Sequence, residues 1–117
     1  MATEPVAPAY DPSVLAALPM VADGTQPGFV DEMLRLFDTA CLEALDELAQ
    51  ALARHDGAAM QRRLHTFKSS CAQVGAMELS ALAARFELEL RAGGKADPAW
   101  LVSLRHAHAR YLNAAAR

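Results

Sequence analysis

Apolar and polar residues repeat with helical spacing along most of the chain, and the longest such pattern occupies its first half. Apolar positions recur every three or four residues from residue 29 to residue 52, and acidic or other polar residues fill the positions between them. This spacing gives a helix one apolar face and one polar face. It predicts a long helix that opens at Thr25 or Gln26 and ends at residues 54–57. Its acidic face is interpreted as solvated surface, with a docking face as the alternative.

The same spacing predicts three further helices. One runs from about residue 58 to Val74, with Asp56 as a candidate N-cap and Gly75 as the stop, since glycine adopts the left-handed conformation at little cost. The next runs from about residue 78 to 92. The last begins at Asp97-Pro98, an N-cap residue followed by proline at the first helical position. No stretch alternates with the period of two that a half-buried strand requires.

The N-terminal part of the chain is predicted to differ from the rest. Residues 1–10 contain prolines and small residues and are interpreted as a flexible tail or a linker. Asp11-Pro12 then opens a short helix, which Pro19 and Asp23-Gly24 end. The predicted fold is all-α: an antiparallel up-down four-helix bundle with a short extra N-terminal helix, formed by residues 11–117.

Composition excludes several classes of function. The chain has 117 residues, of which 53% are hydrophobic and 21% charged, as in a globular domain, and its net charge of −3 argues against nucleic-acid binding. The longest apolar run is too short to span a membrane, and no signal-peptide pattern is present, so a cytoplasmic location without membrane contact is expected. Cys41 and Cys71 both fall on apolar helical faces and are expected to be reduced core thiols.

The candidate chemistry lies on the helix that ends at Val74. His65 follows the apolar position Leu64, so its side chain is rotated by about 100° from the buried stripe. Lys68 lies one turn further on and keeps a cation next to the imidazole. A neutral imidazole is a good nucleophile near pH 7, and a nearby ammonium group can pair with a phosphoryl group once one is attached. The alternative is an ordinary solvated helix surface.

The remaining histidines point to no site. His55 falls in a predicted loop. His106 and His108 are two positions apart on a helix and point about 200° apart, so they cannot chelate one metal ion. No H-E-x-x-H motif, cysteine pair or glycine-rich phosphate loop is present. A hydrolase triad would need a deep cavity, for which a small bundle has little room.

The run from His65 to Leu79 resembles the signature of histidine phosphotransfer (HPt) domains. That family pattern is H-x-[apolar]-K-G-[small]-[small]-x-x-[apolar]-G, followed by a second helix with L-x-x-L spacing. Here Leu79 and Leu82 supply that spacing, and the likeness extends over the preceding long helix. The departure is Ser69, where the family usually has glycine; serine is small enough to leave the histidine open, and its hydroxyl could bond the phosphoryl group.

The resemblance implies a phosphocarrier with no kinase activity of its own. His65 would be phosphorylated, and Lys68 would neutralise the charge of the phosphate. A response-regulator receiver domain would dock over Arg62, Ser69 and Ala72 and would bring the Mg²⁺, so that this chain binds no cofactor or metal itself. A sensor histidine kinase would act upstream, and the chain would be a relay protein or, as we expect, the C-terminal module of a hybrid sensor kinase. In the second case the cytoplasmic location would be that of a domain of a membrane-bound kinase.

The residue pattern leaves the roles of two residues and one alternative function open. Glu87 and Arg91 fall where some family members place polar residues near the histidine: Arg91 could reach the phosphate, and Glu87 would hold the imidazole or face solvent. The alternative function is a helical adaptor that binds and regulates a partner protein without being phosphorylated. A dimerising kinase helix pair is disfavoured, because no ATP-binding sequence is present.

Overall fold

The computed structural model describes residues 7–116, and all regular structure in that range is helical. Two one-turn helices precede four long ones. The helices are α1 (Ser13–Ala16), α2 (Pro19–Ala22), α3 (Phe29–Ala53), α4 (Gly57–Val74), α5 (Met77–Arg91) and α6 (Pro98–Ala114). None of them is long and apolar enough to cross a membrane.

The four long helices form the predicted all-α bundle. Short connections join them in sequence, α4 packs against both α3 and α5, and α6 packs against the same two neighbours. The helices therefore close a ring in which α6 lies across the bundle from α4. Asp97 caps α6 through its side chain, which accepts a hydrogen bond from the backbone N–H of Ala99, and Pro98 occupies the first turn, as predicted.

The N-terminal segment departs from the prediction of a single short helix. The first helix ends at Ala16, and Pro19 opens a second one instead of only ending the first. Proline suits the first helical turn because its missing N–H would have no partner there. Asp11 does act at the start of α1, since its carboxylate accepts hydrogen bonds from the backbone N–H and the hydroxyl of Ser13.

Part of the predicted tail contacts the bundle. Residues 1–6 lie outside the described residues. Beyond them, the carbonyl oxygen of Pro8 accepts a hydrogen bond from the backbone N–H of Glu78 at 2.9 Å, and the Tyr10 ring packs edge-on against Tyr111. The boundary between tail and domain stays a prediction, but the residues directly before α1 pack on the bundle.

Gly75 makes the tight corner between α4 and α5 possible. Its φ of 91° lies in the left-handed region, and the backbone N–H of Ala76 closes the end of α4 on the carbonyl oxygen of Cys71. The carbonyl of Gly75 also accepts a hydrogen bond from the backbone N–H of Asp11 at 2.8 Å, and a Cβ atom at Gly75 would collide with the Asp11 carbonyl oxygen. The corner therefore requires glycine both for its dihedral angles and for the close approach of the N-terminal segment.

The core follows the predicted apolar stripes. Buried apolar residues from α1 and the four long helices form one continuous cluster, with Leu45, Leu64, Leu79 and Leu104 fully enclosed. Cys41 and Cys71 lie in this cluster as free thiols. Burial raises the pKa of both thiols, which keeps them protonated and unreactive near neutral pH.

Candidate functional site

The site begins on the outer strip of α4. Leu64 and Phe67 face the core, and the His65 side chain between them is 58% exposed. Arg62 and Ser69, one turn to either side of His65, are exposed. The helical spacing alone accounts for this placement, because positions three and four apart lie on one face.

The strip continues with small side chains towards the end of the helix. Ala72 lies one turn beyond Ser69 and is half-buried. Neither residue has a side chain long enough to cover the imidazole of His65. The residues predicted to form a docking surface therefore do share one face with the histidine.

The centre of the site is Glu87, which α5 brings against α4. Its side chain is only 4% exposed. The carboxylate Oε2 lies 2.7 Å from Nδ1 of His65, and Lys68 Nζ donates a hydrogen bond to Oε1 at 2.8 Å. The guanidinium of Arg91, one turn further along α5, lies 3.8 Å from Oε2. One buried carboxylate thus connects the histidine with two cations.

The charge of Glu87 is maintained despite its burial. Burial by itself would raise the pKa of the carboxyl group. The hydrogen bonds from Lys68 and His65, with the positive charges of Lys68 and Arg91, outweigh that effect and hold the pKa below its ordinary value. Glu87 is therefore a carboxylate near neutral pH, and a carboxylate can only accept hydrogen bonds.

The state of Glu87 determines the tautomer of His65. Since Glu87 accepts, Nδ1 of His65 must carry the proton, and the lone pair of a neutral ring is then on Nε2. Nε2 belongs to a half-exposed ring and has no hydrogen-bond partner among residues 7–116. The arrangement presents one nucleophilic nitrogen to the outside and holds the other in place.

Ser80 fastens the two helices next to this cluster. Its hydroxyl donates a hydrogen bond to the backbone carbonyl of Lys68 at 2.9 Å, across the contact between α5 and α4. The bond fixes the backbone from which Lys68 reaches Glu87. A serine within a helix can bond a carbonyl of its own helix instead, so this bond between helices ties α5 to α4 in one register.

The sequence pattern predicted His65 and Lys68 as site residues but assigned Glu87 no definite role. Of the two options left open for Glu87, exposure to solvent is wrong, and contact with the imidazole is what the structure shows. Lys68 was predicted to lie beside His65, and the two side chains in fact meet through Glu87. The sequence feature that could have indicated the burial of Glu87 is its position on the helix. Glu87 follows Ala83 by one turn and Phe86 by one residue, so it lies at the edge of the buried stripe of α5.

The other histidines stay apart from this cluster. His55 and His106 are exposed, while His108 is buried and stacks on Tyr111. No group of three or more metal-ligating side chains occurs within residues 7–116. The Glu87 carboxylate is engaged by His65 and Lys68.

A shallow groove runs past the half-exposed side chain of His65. It has a volume of about 510 Å³, and both the α4 strip and the end of α5 contribute to its walls. It is lined by Ala58, Gln61, Arg62, His65, Thr66, Glu87 and Arg91. The guanidinium groups of Arg62 and Arg91 therefore belong to the same groove as the His65 imidazole.

Comparisons with known proteins give one result. The family model of the Hpt domain matches residues 32–114, which is most of the chain and includes Glu87 with its partners His65, Lys68 and Arg91. Searches of curated proteins and of solved structures found no significant match.

Proposed function

The chain belongs to the Hpt domain family, whose members take part in histidine phosphotransfer within phosphorelays, and on this premise we propose that it carries a phosphoryl group on Nε2 of His65. The donor and acceptor would be the aspartate of a response-regulator receiver domain. The observation that carries the proposal is the hydrogen bond between Glu87 and Nδ1 of His65, which directs the lone pair of a half-exposed imidazole to Nε2.

The chemical step needs no proton transfer. The lone pair on Nε2 attacks the phosphorus of the aspartyl phosphate, the phosphorus–oxygen bond to the aspartate breaks, and its electron pair leaves with the aspartate carboxylate. The product ring carries the phosphoryl group on Nε2 and the original proton on Nδ1, and therefore a positive charge. Glu87 Oε2, 2.7 Å from Nδ1, faces that charge as it develops. The reverse reaction uses the same contacts.

Lys68 and Arg91 would both neutralise charge on the phosphoryl group, but they lie at different positions in the site. Phosphoryl transfer depends chiefly on positioning and on neutralising charge. Lys68 Nζ is held on Glu87 Oε1, where it keeps the carboxylate oriented and adds its charge to the site. Arg91 is 54% exposed and lines the groove beside His65, so its guanidinium can turn towards a phosphoryl group with little loss of packing. We assign charge neutralisation to both residues.

The receiver would dock over the α4 strip. Arg62 supplies positive charge next to the histidine, and the small side chains of Ser69 and Ala72 let the partner approach closely. The Mg²⁺ that the transfer requires would come with the receiver, because Glu87, the carboxylate that contacts His65, already accepts hydrogen bonds from His65 and Lys68. A sensor histidine kinase would supply the phosphoryl group to the relay. We propose that the chain is the cytoplasmic C-terminal module of a hybrid kinase of this class.

A phosphotransfer assay tests the proposal. The purified chain is mixed with a phosphorylated receiver and Mg²⁺, and acid-labile, base-stable phosphate is measured by ³¹P NMR, which distinguishes the two ring nitrogens. Wild type should be labelled on Nε2. The His65→Gln variant should remain folded, because the side chain is largely exposed, and should carry no label. His106→Gln, at an exposed position on α6, is the matched control and should be labelled like wild type.

The same assay separates the carrier from the adaptor. Label that persists in His65→Gln would refute the assignment of the residue. If several receivers bind the wild-type chain tightly and none of them labels it, the result would instead favour an adaptor that binds without phosphorylation.

A further inference from the structure

A second groove lies between α3 and α4, next to the groove at His65. Its volume is about 430 Å³, and three arginines provide most of its charge. Arg63 forms an ion pair with Glu47 across the groove. Arg54 and Arg62 are exposed and have no ion-pair partner among residues 7–116. The groove therefore holds two guanidinium groups whose charges the neighbouring side chains do not compensate.

The two grooves form one continuous surface. Arg62 and Thr66 line both of them, one on each side of the helix position of His65. Ala59, in the second groove, precedes His65 by six residues, which corresponds to about 9 Å along the helix. A protein interface of standard size covers about 800 Å² on each partner, a patch with a radius of roughly 16 Å. A partner centred on His65 thus reaches the second groove.

The charge of this surface is opposite to that of the chain as a whole. The net charge is −3, and the outer side of α3 is acidic, with Asp31, Glu32, Glu43 and Asp46 all exposed. Around the two grooves, in contrast, Arg54, Arg62 and Arg91 are exposed together. Such an asymmetry attracts an acidic surface to one side of the molecule and repels it from the other.

We propose that the groove between Arg54 and Arg62 is a second contact site for the receiver domain, which takes acidic side chains from the receiver surface outside its phosphorylated aspartate. The proposal rests on the proposed function and adds a determinant of partner choice to it. Arg54 directly follows α3 and lines the second groove, which His65 does not line. Its charge therefore acts on association with the receiver and leaves the transfer step itself unchanged.

Charge reversal at Arg54 provides the test. The kcat/KM of transfer from a phosphorylated receiver is measured at low and at high salt for wild type, Arg54→Gln and Arg54→Glu. We expect the reversal to lower kcat/KM by about five- to ten-fold at low salt through KM, the neutral variant to lower it by less, and high salt to reduce both effects. Arg105→Glu is the control: it makes the same change of charge on α6, across the bundle from α4.

A small phosphoryl donor separates this proposal from the function on which it rests. Phosphoramidate phosphorylates histidine without docking, and it should label wild type and Arg54→Glu equally. If Arg54→Glu and Arg105→Glu change kcat/KM to the same extent, or if Arg54→Glu lowers kcat with KM unchanged, the second contact site is refuted while the carrier function stands. If phosphoramidate labels His65 but no receiver transfers to the wild-type chain, the carrier function fails first.

Discussion

Replacing Glu87 by glutamine gives the sharpest test of the mechanism, because it removes one negative charge and almost no volume. In the wild-type protein the carboxylate accepts one hydrogen bond from His65 and one from Lys68. Glutamine retains a single carbonyl oxygen, and its amide group can only donate towards the other partner. The Glu87→Gln variant should therefore hold the imidazole less firmly and leave the charge of Lys68 uncompensated beside it.

The size of the effect follows from the contacts. A hydrogen bond to a charged group contributes about 1.5–3 kcal/mol, and a neutral one about 0.5–1.5 kcal/mol. The phosphorylated ring is cationic, so the variant should lose about 1–2 kcal/mol of its stabilisation. Two opposite unit charges about 4 Å apart near a protein surface attract each other by up to about 4 kcal/mol. Solvent screens the attraction between Glu87 and the phosphorylated ring, because His65 is half-exposed, and the estimate of about 1–2 kcal/mol is therefore the appropriate one. The transfer equilibrium should shift towards the receiver by roughly 5- to 30-fold.

Two measurements check this prediction. The ratio of phosphohistidine to aspartyl phosphate at equilibrium is read by ³¹P NMR, and ¹⁵N NMR of the unphosphorylated protein reports the tautomer of His65. Wild type should show the proton on Nδ1, and Glu87→Gln a mixture of tautomers. Glu89→Gln, an exposed position on the same helix, is the matched control. If Glu87→Gln has the same equilibrium ratio and the same His65 tautomer as wild type, the role of the carboxylate is refuted.

Two further predictions concern the scaffold. Gly75→Ala should lower the free energy of unfolding by about 2–4 kcal/mol in urea titration, because the left-handed conformation alone costs about 1–2 kcal/mol and the new Cβ would collide with the Asp11 carbonyl; a loss below 1 kcal/mol would contradict this account of the corner. Burial lowers the pKa of His108 below its ordinary value of 6.5, so the unfolded chain takes up a proton at a higher pH than the folded protein does. The stability that the neutral imidazole contributes is therefore complete above about pH 6.5 and is lost as the pH falls from there towards the lowered pKa. The change in unfolding free energy between about pH 7 and pH 5 should therefore be smaller in His108→Gln than in His106→Gln, and equal changes would show that His108 titrates freely.

The sequence predicted the bundle well because helical periodicity is a local property. Each long helix carries its apolar stripe every three or four residues, and Asp56, Gly75 and Asp97 mark three of the helix ends through contacts with near neighbours only. The predicted start of the longest helix at Thr25 or Gln26 was wrong, since α3 begins at Phe29. The second short helix was missed for a related reason. Proline ends one helix and can equally begin the next, and the local sequence around Pro19 does not distinguish the two outcomes.

The site could be predicted only in part, because it depends on the packing of two helices. The face that His65 shares with Arg62 and Ser69 follows from spacing within α4. The contact of His65 with Glu87 depends on the rotation and the register of α5 against α4, separated by 22 residues of sequence. Periodicity placed Glu87 at the edge of a stripe, and that position is compatible with either a buried or a solvated carboxylate.

The buried carboxylate of Glu87 is useful to the transfer because its charge is already in place before the ring of His65 becomes positive. An unpaired buried carboxylate would be costly and would tend to take up a proton. Lys68 and His65 satisfy Glu87 before any phosphoryl group arrives, so that its pKa stays low and Nδ1 stays protonated. In the resting protein, Lys68 therefore acts on the reaction through Glu87, by keeping it ionised. The positive charge that phosphorylation creates on the ring then meets a negative charge already in position, and little reorganisation accompanies the transfer.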